Sequence, residues 1–309
     1  MSHPSSPLAR LGRFFFWLLC GAGLIAGLFV LLCAVQVIDP DLWLTGPEAA
    51  PASAPTHITA EPPMIPEPAV LLSADQLDPP PDPLDPSGSP AQPDPSDLPA
   101  PSGTVVVPMK EPDGSLQYVS ALPLAADCGA SSADPQRNAA LRALNQRDTL
   151  HTVALVSCLQ DSTLVQHDPK LALHRVSGSP WRDPQRQAWL DPAQPTVQNY
   201  LTGICRELAW LGFDEIVLTG CAFPTQGDLS CLRDCGSRSD TLAAFCRTLQ
   251  GALSDFPTEL SVVGTGDQQT ADPLSGQTPA VLAAFCRVWS APGTEDALAA
   301  FSPVPLPQS

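Results

Sequence analysis

An amphipathic pattern over residues 195–211 is the clearest structural signal in the chain. Apolar residues recur there at the three- and four-residue spacing of one helix face, at Val197, Tyr200, Leu201, Ile204, Leu208 and Leu211. Pro195 suits the first turn of a helix, and Gly212 suits the left-handed residue that ends one. Residues 213–219 then predict a strand, apolar at Ile216, Val217 and Leu218. A helix followed by such a strand is the repeating step of a parallel α/β fold.

Similar patterns predict the other elements of the domain. We expect strands at 104–107, 116–119, 152–158 and 259–264, and helices at 134–147, 239–253 and 278–289. The hexapeptide LAAFCR occurs at 242–247 and again at 282–287, which weakly supports a repeated helix-strand step. Four or five strands are too few for a TIM-type barrel, which has eight. The sequence therefore predicts an α/β fold that is a partial or incomplete (β/α) TIM-type barrel, or an open half-barrel.

A long uncharged segment near the N-terminus predicts a transmembrane helix over residues 14–38. Such a run is long enough to cross a hydrocarbon core of about 30 Å. Arg10 and Arg13 precede it and Asp39 follows it, so the positive-inside rule places the tail 1–13 in the cytoplasm and the rest outside the cell membrane. The alternative is a cleaved signal peptide, whose apolar region is usually shorter.

Residues 39–103 predict a disordered, Pro-rich acidic linker. The segment contains eleven acidic residues and no Lys or Arg, so it has little apolar surface to bury. Val70, Leu71 and Leu72 form its one apolar island, which we expect to be linker rather than strand. The folded domain is expected at 104–302, followed by a short tail at 303–309.

Composition excludes several classes of function. The 309 residues carry a net charge of −17, which repels the phosphates of nucleic acid. The sequence contains no phosphate-binding loop, dinucleotide fingerprint or nucleophile elbow, so no cofactor is expected. No metal site is expected either, since Cys231 and Cys235 lack a second cysteine pair.

Three segments resemble a bacterial glycoside-hydrolase domain family of unknown function. They are VVVPMKEPDG at 105–114, the segment from 153 to 191 that contains Trp-Arg-Asp, and the central WLDP, helix, GFDEI, strand and Phe-Pro of 189–224. The resemblance extends from about residue 104 to about residue 292. It implies a TIM-type barrel and glycan chemistry.

The same resemblance shows replacements where the catalytic groups of the family are expected. Thr219 stands in place of an acid at the end of the central strand, and Ala222 stands in place of an Arg. Pro108 stands where the early strand of the family has an Asp. Whether the chain is an enzyme is therefore uncertain from the sequence.

Other acids follow predicted strands and supply the candidate catalytic residues. Asp161 and Asp267 are the candidates, because active sites of such barrels lie at the carboxyl ends of the strands. Both also suit a loop acid or a helix cap. Asp214 and Glu215 begin the central strand and so lie at the opposite end, which excludes them from catalysis.

Aromatic and basic residues of the long loop supply the candidate substrate-binding residues. Trp181, Arg182 and Trp189 are suited to stack on and hydrogen-bond a sugar ring, although the two Trp side chains suit the core equally well. Eight of the ten cysteines follow the apolar segment, and a bridge among Cys221, Cys231 and Cys235 is one possible disulfide.

The leading hypothesis is a membrane-anchored extracellular domain that binds a cell-wall glycan or an envelope protein without catalysis. One alternative is an active glycoside hydrolase that uses displaced carboxylates. Another is a truncated scaffold that needs a partner to complete its fold.

Overall fold

The computed structural model describes residues 69–73, 103–267 and 273–307. These residues belong to one compact unit, Pro62–Ser309. The predicted transmembrane helix at 14–38 and most of the predicted linker lie outside the described residues. Within the described part of the chain, no helix is both long enough and apolar enough to span a membrane.

Within the described residues, seven parallel strands form a single sheet in chain order. They are β1 Ala69–Leu71, β2 Gly103–Lys110, β3 Leu150–Ser157, β4 Glu215–Thr219, β5 Glu259–Gly264, β6 Val288–Ser290 and β7 Val304–Pro305. All six strand pairings are parallel, as crossover connections through helices require. The architecture is a partial barrel of the (β/α) type, so the predicted fold class is confirmed at that level.

Six α-helices lie between or beside the strands. They are α1 Pro123–Asp127, α2 Arg137–Asn145, α3 Ser162–His167, α4 Pro195–Leu211, α5 Arg238–Leu253 and α6 Pro279–Leu282. Short 3-10 helices occur at Pro169–Leu171, Leu229–Cys231 and Asp296–Phe301. The predicted stripe of α4 is buried in full, and Gly212 ends the helix at φ 95°.

The two faces of the sheet contribute to different apolar clusters. Val105, Val107 and Met109 of β2 pack in the large cluster that also contains the buried faces of α4 and α5. Val106 of the same strand packs in a smaller cluster with Val153, Val217, Val263 and Trp289. This alternation is the side-chain pattern of a barrel wall that is covered by helices on its outer face.

Three predictions of secondary structure are wrong. Residues 69–71 are a strand rather than linker, because Val70 pairs with Val105 and the Leu72 amide donates to the Val106 carbonyl at 2.9 Å. The predicted count of four or five strands is too low, because β1, β6 and β7 were not predicted. The helix expected at 278–289 ends at Leu282, and its last residues form β6 beside β5.

The predicted return strand at 116–119 is also absent. Leu116 makes only an isolated antiparallel bridge to Lys110, at the turn that follows β2. The chain at 172–190 is similarly held by isolated antiparallel bridges, among them Gln160 to Trp189 and Ala172 to Leu190. The long loop is therefore fixed against the end of β3.

Candidate functional site

A buried ion pair lies at the carboxyl end of β2. The Lys110 ammonium is 3.1 Å from Asp161 Oδ2, and neither side chain has exposed surface. Lys110 Nζ also donates to the carbonyl oxygens of Ser157 at 2.9 Å and of Gln160 at 3.0 Å. These contacts fix the turn after β3 to the end of β2. Removal of one partner from such a pair leaves an uncompensated buried charge.

Asp161 also caps a helix. Its Oδ1 accepts a hydrogen bond from the Leu164 amide at 2.7 Å, which makes it the N-cap of α3. Both carboxylate oxygens are thus held by groups of the fold. The structure gives Asp161 the helix-cap role that the sequence offered as the alternative, and its catalytic role stays a prediction.

Asp183 joins the long loop to the same end of the sheet. Its Oδ2 accepts from Gln160 Nε2 at 3.1 Å and from Trp189 Nε1 at 3.0 Å, and its Oδ1 accepts from the Gln187 amide at 2.8 Å. The side chain is almost completely buried. The sequence analysis did not select Asp183, although its place in the Trp-Arg-Asp segment was a signal that could have identified it.

The ends of β4 and β5 are joined by a buried glutamine. Gln277 Nε2 donates to the carbonyl oxygens of Cys221 at 3.0 Å and Val263 at 3.1 Å, and its Oε1 accepts from the Thr265 amide at 2.9 Å. Its side chain is fully buried. No pattern in the sequence around Gln277 signals this role.

Asp267 lies beside this junction. Its Oδ1 accepts from Thr265 Oγ1 at 2.7 Å and from Ser275 Oγ at 2.6 Å, while its Oδ2 accepts from the Ser275 amide at 3.0 Å. The carboxylate therefore organises the loop after β5. Asp161 and Asp267 follow β3 and β5 respectively, and β4 lies between these two strands in the sheet. Asp267 as a catalytic residue likewise stays a prediction.

The three positions at which the resemblance implies replacements lie in β2, at the end of β4 and just after β4. Thr219 is the last residue of β4, and its Oγ1 lies 3.4 Å from the Val156 carbonyl oxygen. Ala222 is buried, and Pro108 lies within β2 opposite Leu155. None of these side chains has a group that ionises at neutral pH, so none can supply the missing acid.

The pKa of the Glu111 carboxyl group, at this end of the sheet, is raised. Burial contributes most, and the nearby Asp113 carboxylate adds to it. A raised carboxyl pKa favours the protonated form that a general acid requires. Glu111 follows directly after β2, so both its environment and its place suit such a role.

The three predicted substrate-binding residues have different surroundings. Trp181 lies in the core with no exposed surface, and its Nε1 donates to the Asp228 carbonyl at 2.9 Å. Trp189 is nearly buried and is oriented by Asp183. Arg182 is exposed, and its Nη1 donates to the Arg186 carbonyl at 2.8 Å. Only Arg182 therefore presents its side chain to solvent.

All eight cysteines in the described residues are free thiols. Cys221 Sγ lies 3.9 Å from Cys246 Sγ on α5, so its neighbour is on a helix rather than in its own loop. Hydrogen bonds with Cys158 and Cys246, together with burial, raise the pKa of the Cys221 thiol. Within the described ranges, no group of three or more His, Cys, Asp or Glu side chains is placed to hold a metal ion.

A second buried charge cluster occupies the amino ends of the strands. Glu215 pairs with Arg287 at 2.5 Å, accepts from Trp289 Nε1 at 2.9 Å and lies 3.0 Å from His151 Nε2. Arg287 also reaches Glu259 at 3.2 Å. The position and pairing of Glu215 agree with its exclusion from catalysis.

Parallel strands in chain order, connected through helices and with polar side chains gathered at their carboxyl ends, define a domain of the (β/α)-barrel class. The family profile described as "Putative glycosyl hydrolase domain" matches residues 102–283, and the chain belongs to this family. No curated protein matches the chain at a significant level.

Several solved structures are similar to this chain. A hypothetical protein from Ruminiclostridium thermocellum is 27% identical, with a TM-score of 0.45, and the match covers 52% of this chain and 82% of that one. The α-galactosidase of Thermus thermophilus is 15% identical with a TM-score of 0.36, and coverage is 52% of this chain and 30% of the enzyme. Ega3 of Aspergillus fumigatus, in complex with galactosamine, is 11% identical with a TM-score of 0.38, and coverage is 64% and 65%. The chain thus spans less than a third of the Thermus enzyme.

Proposed function

We propose that this domain is a non-catalytic member of its family that binds a glycan of the cell envelope. The observation that carries the proposal is Thr219 at the end of β4, the position at which the family resemblance implies an acid. The neighbouring Ala222 is buried and cannot replace the expected Arg. The scaffold is retained while ionisable groups are lost from two of its strand ends.

The remaining buried carboxylates support the same conclusion. Glycoside hydrolysis requires one protonated and one ionised carboxyl group, about 5 to 10 Å apart and in contact with the sugar. Asp161 and Asp183 are buried, and their oxygens accept hydrogen bonds from, or pair with, groups of the fold. Asp267 holds the loop after β5. These contacts stabilise the carboxyl end of the sheet, and burial keeps Asp161 and Asp183 out of contact with a substrate.

Arg182 is the exposed group from which we expect a glycan contact at this end. Its guanidinium has donors beyond the one bond to the Arg186 carbonyl. An envelope protein is the alternative partner for the same surface. Nucleic acid is not expected, because the chain is strongly acidic.

A second candidate function is an active glycoside hydrolase. The observation that favours it is the raised pKa of Glu111, caused by burial and by the charge of Asp113. In this mechanism Glu111 is the acid, and Asp161 or Asp267 is the ionised partner. Lys110 supplies the positive charge beside Asp161.

Calorimetric titration of the full-length protein with wall-derived oligosaccharides, with product release measured in the same samples, separates the two functions. We expect saturable binding without turnover, and weaker binding by Arg182→Ala. Turnover that is lost in Glu111→Gln or in the Asp161→Asn, Asp267→Asn double variant would establish the hydrolase instead. Asp228→Asn is the matched control, because Asp228 is an exposed loop acid.

We also propose that residues 14–38 anchor the protein in the cell membrane, with the domain outside. The support is the uncharged segment preceded by Arg10 and Arg13. Protease treatment of intact cells, followed by detection of the two ends of the chain, tests this topology. A protected domain in intact cells would contradict it.

A further inference from the structure

A cavity of about 290 Å³ lies at the amino ends of β4 and β5. It is therefore at the opposite end of the strands from Asp161, Asp183 and Arg182. Its lining includes Ala209, Gly212, Asp214, Pro257, Thr258 and Glu259. The volume is close to the lower limit of small-molecule sites, about 300 Å³, which suits one or two sugar rings.

Aromatic residues adjoin two of the lining residues along the chain. Trp210 follows the lining residue Ala209 along α4, and Phe256 precedes the lining residue Pro257. The two rings are 5.6 Å apart and meet edge to face at 82°. Trp210 is 72% exposed, whereas the other Trp side chains in the described residues are 9% exposed or less. Trp210 therefore presents a large ring to solvent one residue after the lining residue Ala209.

Two carboxylates of the cavity lining accept hydrogen bonds. Asp214 is exposed, and its Oδ2 accepts from the Thr152 amide at 2.7 Å and from Thr152 Oγ1 at 3.0 Å. A carboxylate has about four acceptor sites, so Asp214 retains acceptor capacity toward the cavity. Glu259 keeps a quarter of its side chain exposed beside Arg287. The cavity therefore matches a ligand that donates several hydrogen bonds.

Charge narrows the class of ligand. Asp214 and Glu259 repel anionic ligands from the cavity. The Arg206 guanidinium lies 5.6 Å from the centre of the Phe256 ring, so it repels a cationic ligand that approaches Phe256. A neutral, polyhydroxylated ligand has hydroxyl donors for the carboxylates and an apolar ring face for Trp210.

We propose that this cavity and Trp210 form a second binding site, for a neutral saccharide. It goes beyond the proposed function, which concerns the carboxyl end of the strands. The sugar ring stacks on the exposed face of Trp210, and its hydroxyl groups donate to Asp214 and Glu259. With both ends of the sheet occupied, one domain contacts a glycan polymer at two places.

Oxidation of Trp by N-bromosuccinimide in the full-length protein, read by peptide mass spectrometry, tests the site. Chitotetraose and cellotetraose are the probes. Trp210 is expected to react faster than Trp181, Trp189 and Trp289, and a saturating probe is expected to slow its oxidation. If neither tetrasaccharide protects Trp210, the proposal is overturned.

Variants then assign the affinity to one end of the sheet. Trp210→Ala should weaken binding of the protecting tetrasaccharide about tenfold in calorimetry, whereas Trp210→Phe keeps a flat ring and most of the affinity. Val176→Ala, a change at another exposed apolar side chain, is the matched control and should have no effect. Unaltered affinity in Trp210→Ala, with loss in Arg182→Ala, would remove the second site and leave the proposed function intact. The reverse result would remove the carboxyl-end site instead.

Discussion

Gly114 lies against the buried pair of Lys110 and Asp161. A Cβ atom built on Gly114 would be 2.0 Å from Asp161 Oδ1, and the residue has φ +101°. Any side chain at this position therefore displaces the carboxylate from Lys110 and from its capping bond, in addition to the strain of the positive φ.

We expect Gly114→Ala to lower the free energy of unfolding by about 3 to 5 kcal/mol, because it disrupts a buried ion pair. Gly129→Ala is the control, since Gly129 also has a positive φ, +73°, but no atom within 4 Å of the added Cβ. The free energy of unfolding of Gly129→Ala should fall only by the cost of backbone strain, about 1 to 2 kcal/mol. Urea denaturation measures both, and equal losses would show that the contact with Asp161 contributes nothing.

Glu215 gives the stability a defined pH dependence. Burial acts to raise its pKa, but hydrogen bonds from His151, Ser261 and Trp289 and the charge of Arg287 outweigh it, so the pKa is lowered. A carboxyl group with a lowered folded-state pKa stabilises the fold above its unfolded-state pKa. That stabilisation is lost as the pH falls through the folded-state value.

Glu215→Gln should therefore destabilise the protein most near neutral pH, and the difference from the wild type should shrink below about pH 4. Urea midpoints measured across this range give the comparison. Glu259→Gln is the matched control, because Glu259 pairs with the same Arg287 but is partly exposed, and it should have a smaller effect. A difference for Glu215→Gln that does not vary with pH would contradict the assignment.

At the scale of elements, the first strand completes the sheet on the β2 side. Residues 69–71 pair with residues 104–106. Leu71 packs against the smaller cluster that contains Val106, and Leu72 packs in the large cluster. A fragment that starts at residue 104 lacks this strand and exposes the edge of β2. A fragment that starts at residue 62 retains it.

We expect the fragment 62–309 to unfold cooperatively, with about 2 to 4 kcal/mol more stability than 104–309, from the burial of two leucine side chains. Calorimetric melting of the two fragments measures the difference. Leu72→Ala in the longer fragment should reproduce about half of the loss. Equal melting of the two fragments would show that β1 does not stabilise the domain.

Helix α4 and strands β3 to β5 could be predicted from the sequence because their apolar spacing is regular and long. β1 and β6 could not, since three apolar residues form a strand only where a neighbouring strand supplies the hydrogen bonds. The repeated hexapeptide also shows that a short sequence does not determine its own secondary structure. LAAFCR is helical within α5, but its second copy begins in the last residue of α6 and ends one residue before β6.

The candidate site was less predictable than the fold. Asp161 follows a predicted strand and was identified from its place, but its burial depends on Lys110, 51 residues earlier. Asp183 and Gln277 act through contacts that only the folded loops create. The local sequence pattern does not specify such long-range contacts. The sequence therefore indicated which end of the sheet holds the candidate site, but not which side chains contact one another there.

At the scale of the whole molecule, charge limits the glycans that the protein binds. The net charge is −17, and residues 104–309 alone carry 21 acidic residues against 13 basic ones. An anionic polymer is repelled by this field, whereas a neutral one is not. Because the repulsion acts over about 10 Å at 0.1 M salt, it is strongest in dilute buffer.

We therefore expect oligogalacturonate to bind about tenfold more weakly than a neutral oligosaccharide of equal length at low ionic strength. The gap should narrow as salt is added, because the anionic ligand gains affinity while the neutral one does not change. Calorimetric titrations of the full-length protein in dilute and in concentrated sodium chloride measure both trends. Tighter binding of the anionic ligand, weakened by salt, would instead locate a basic surface at which the Arg side chains outweigh the overall charge.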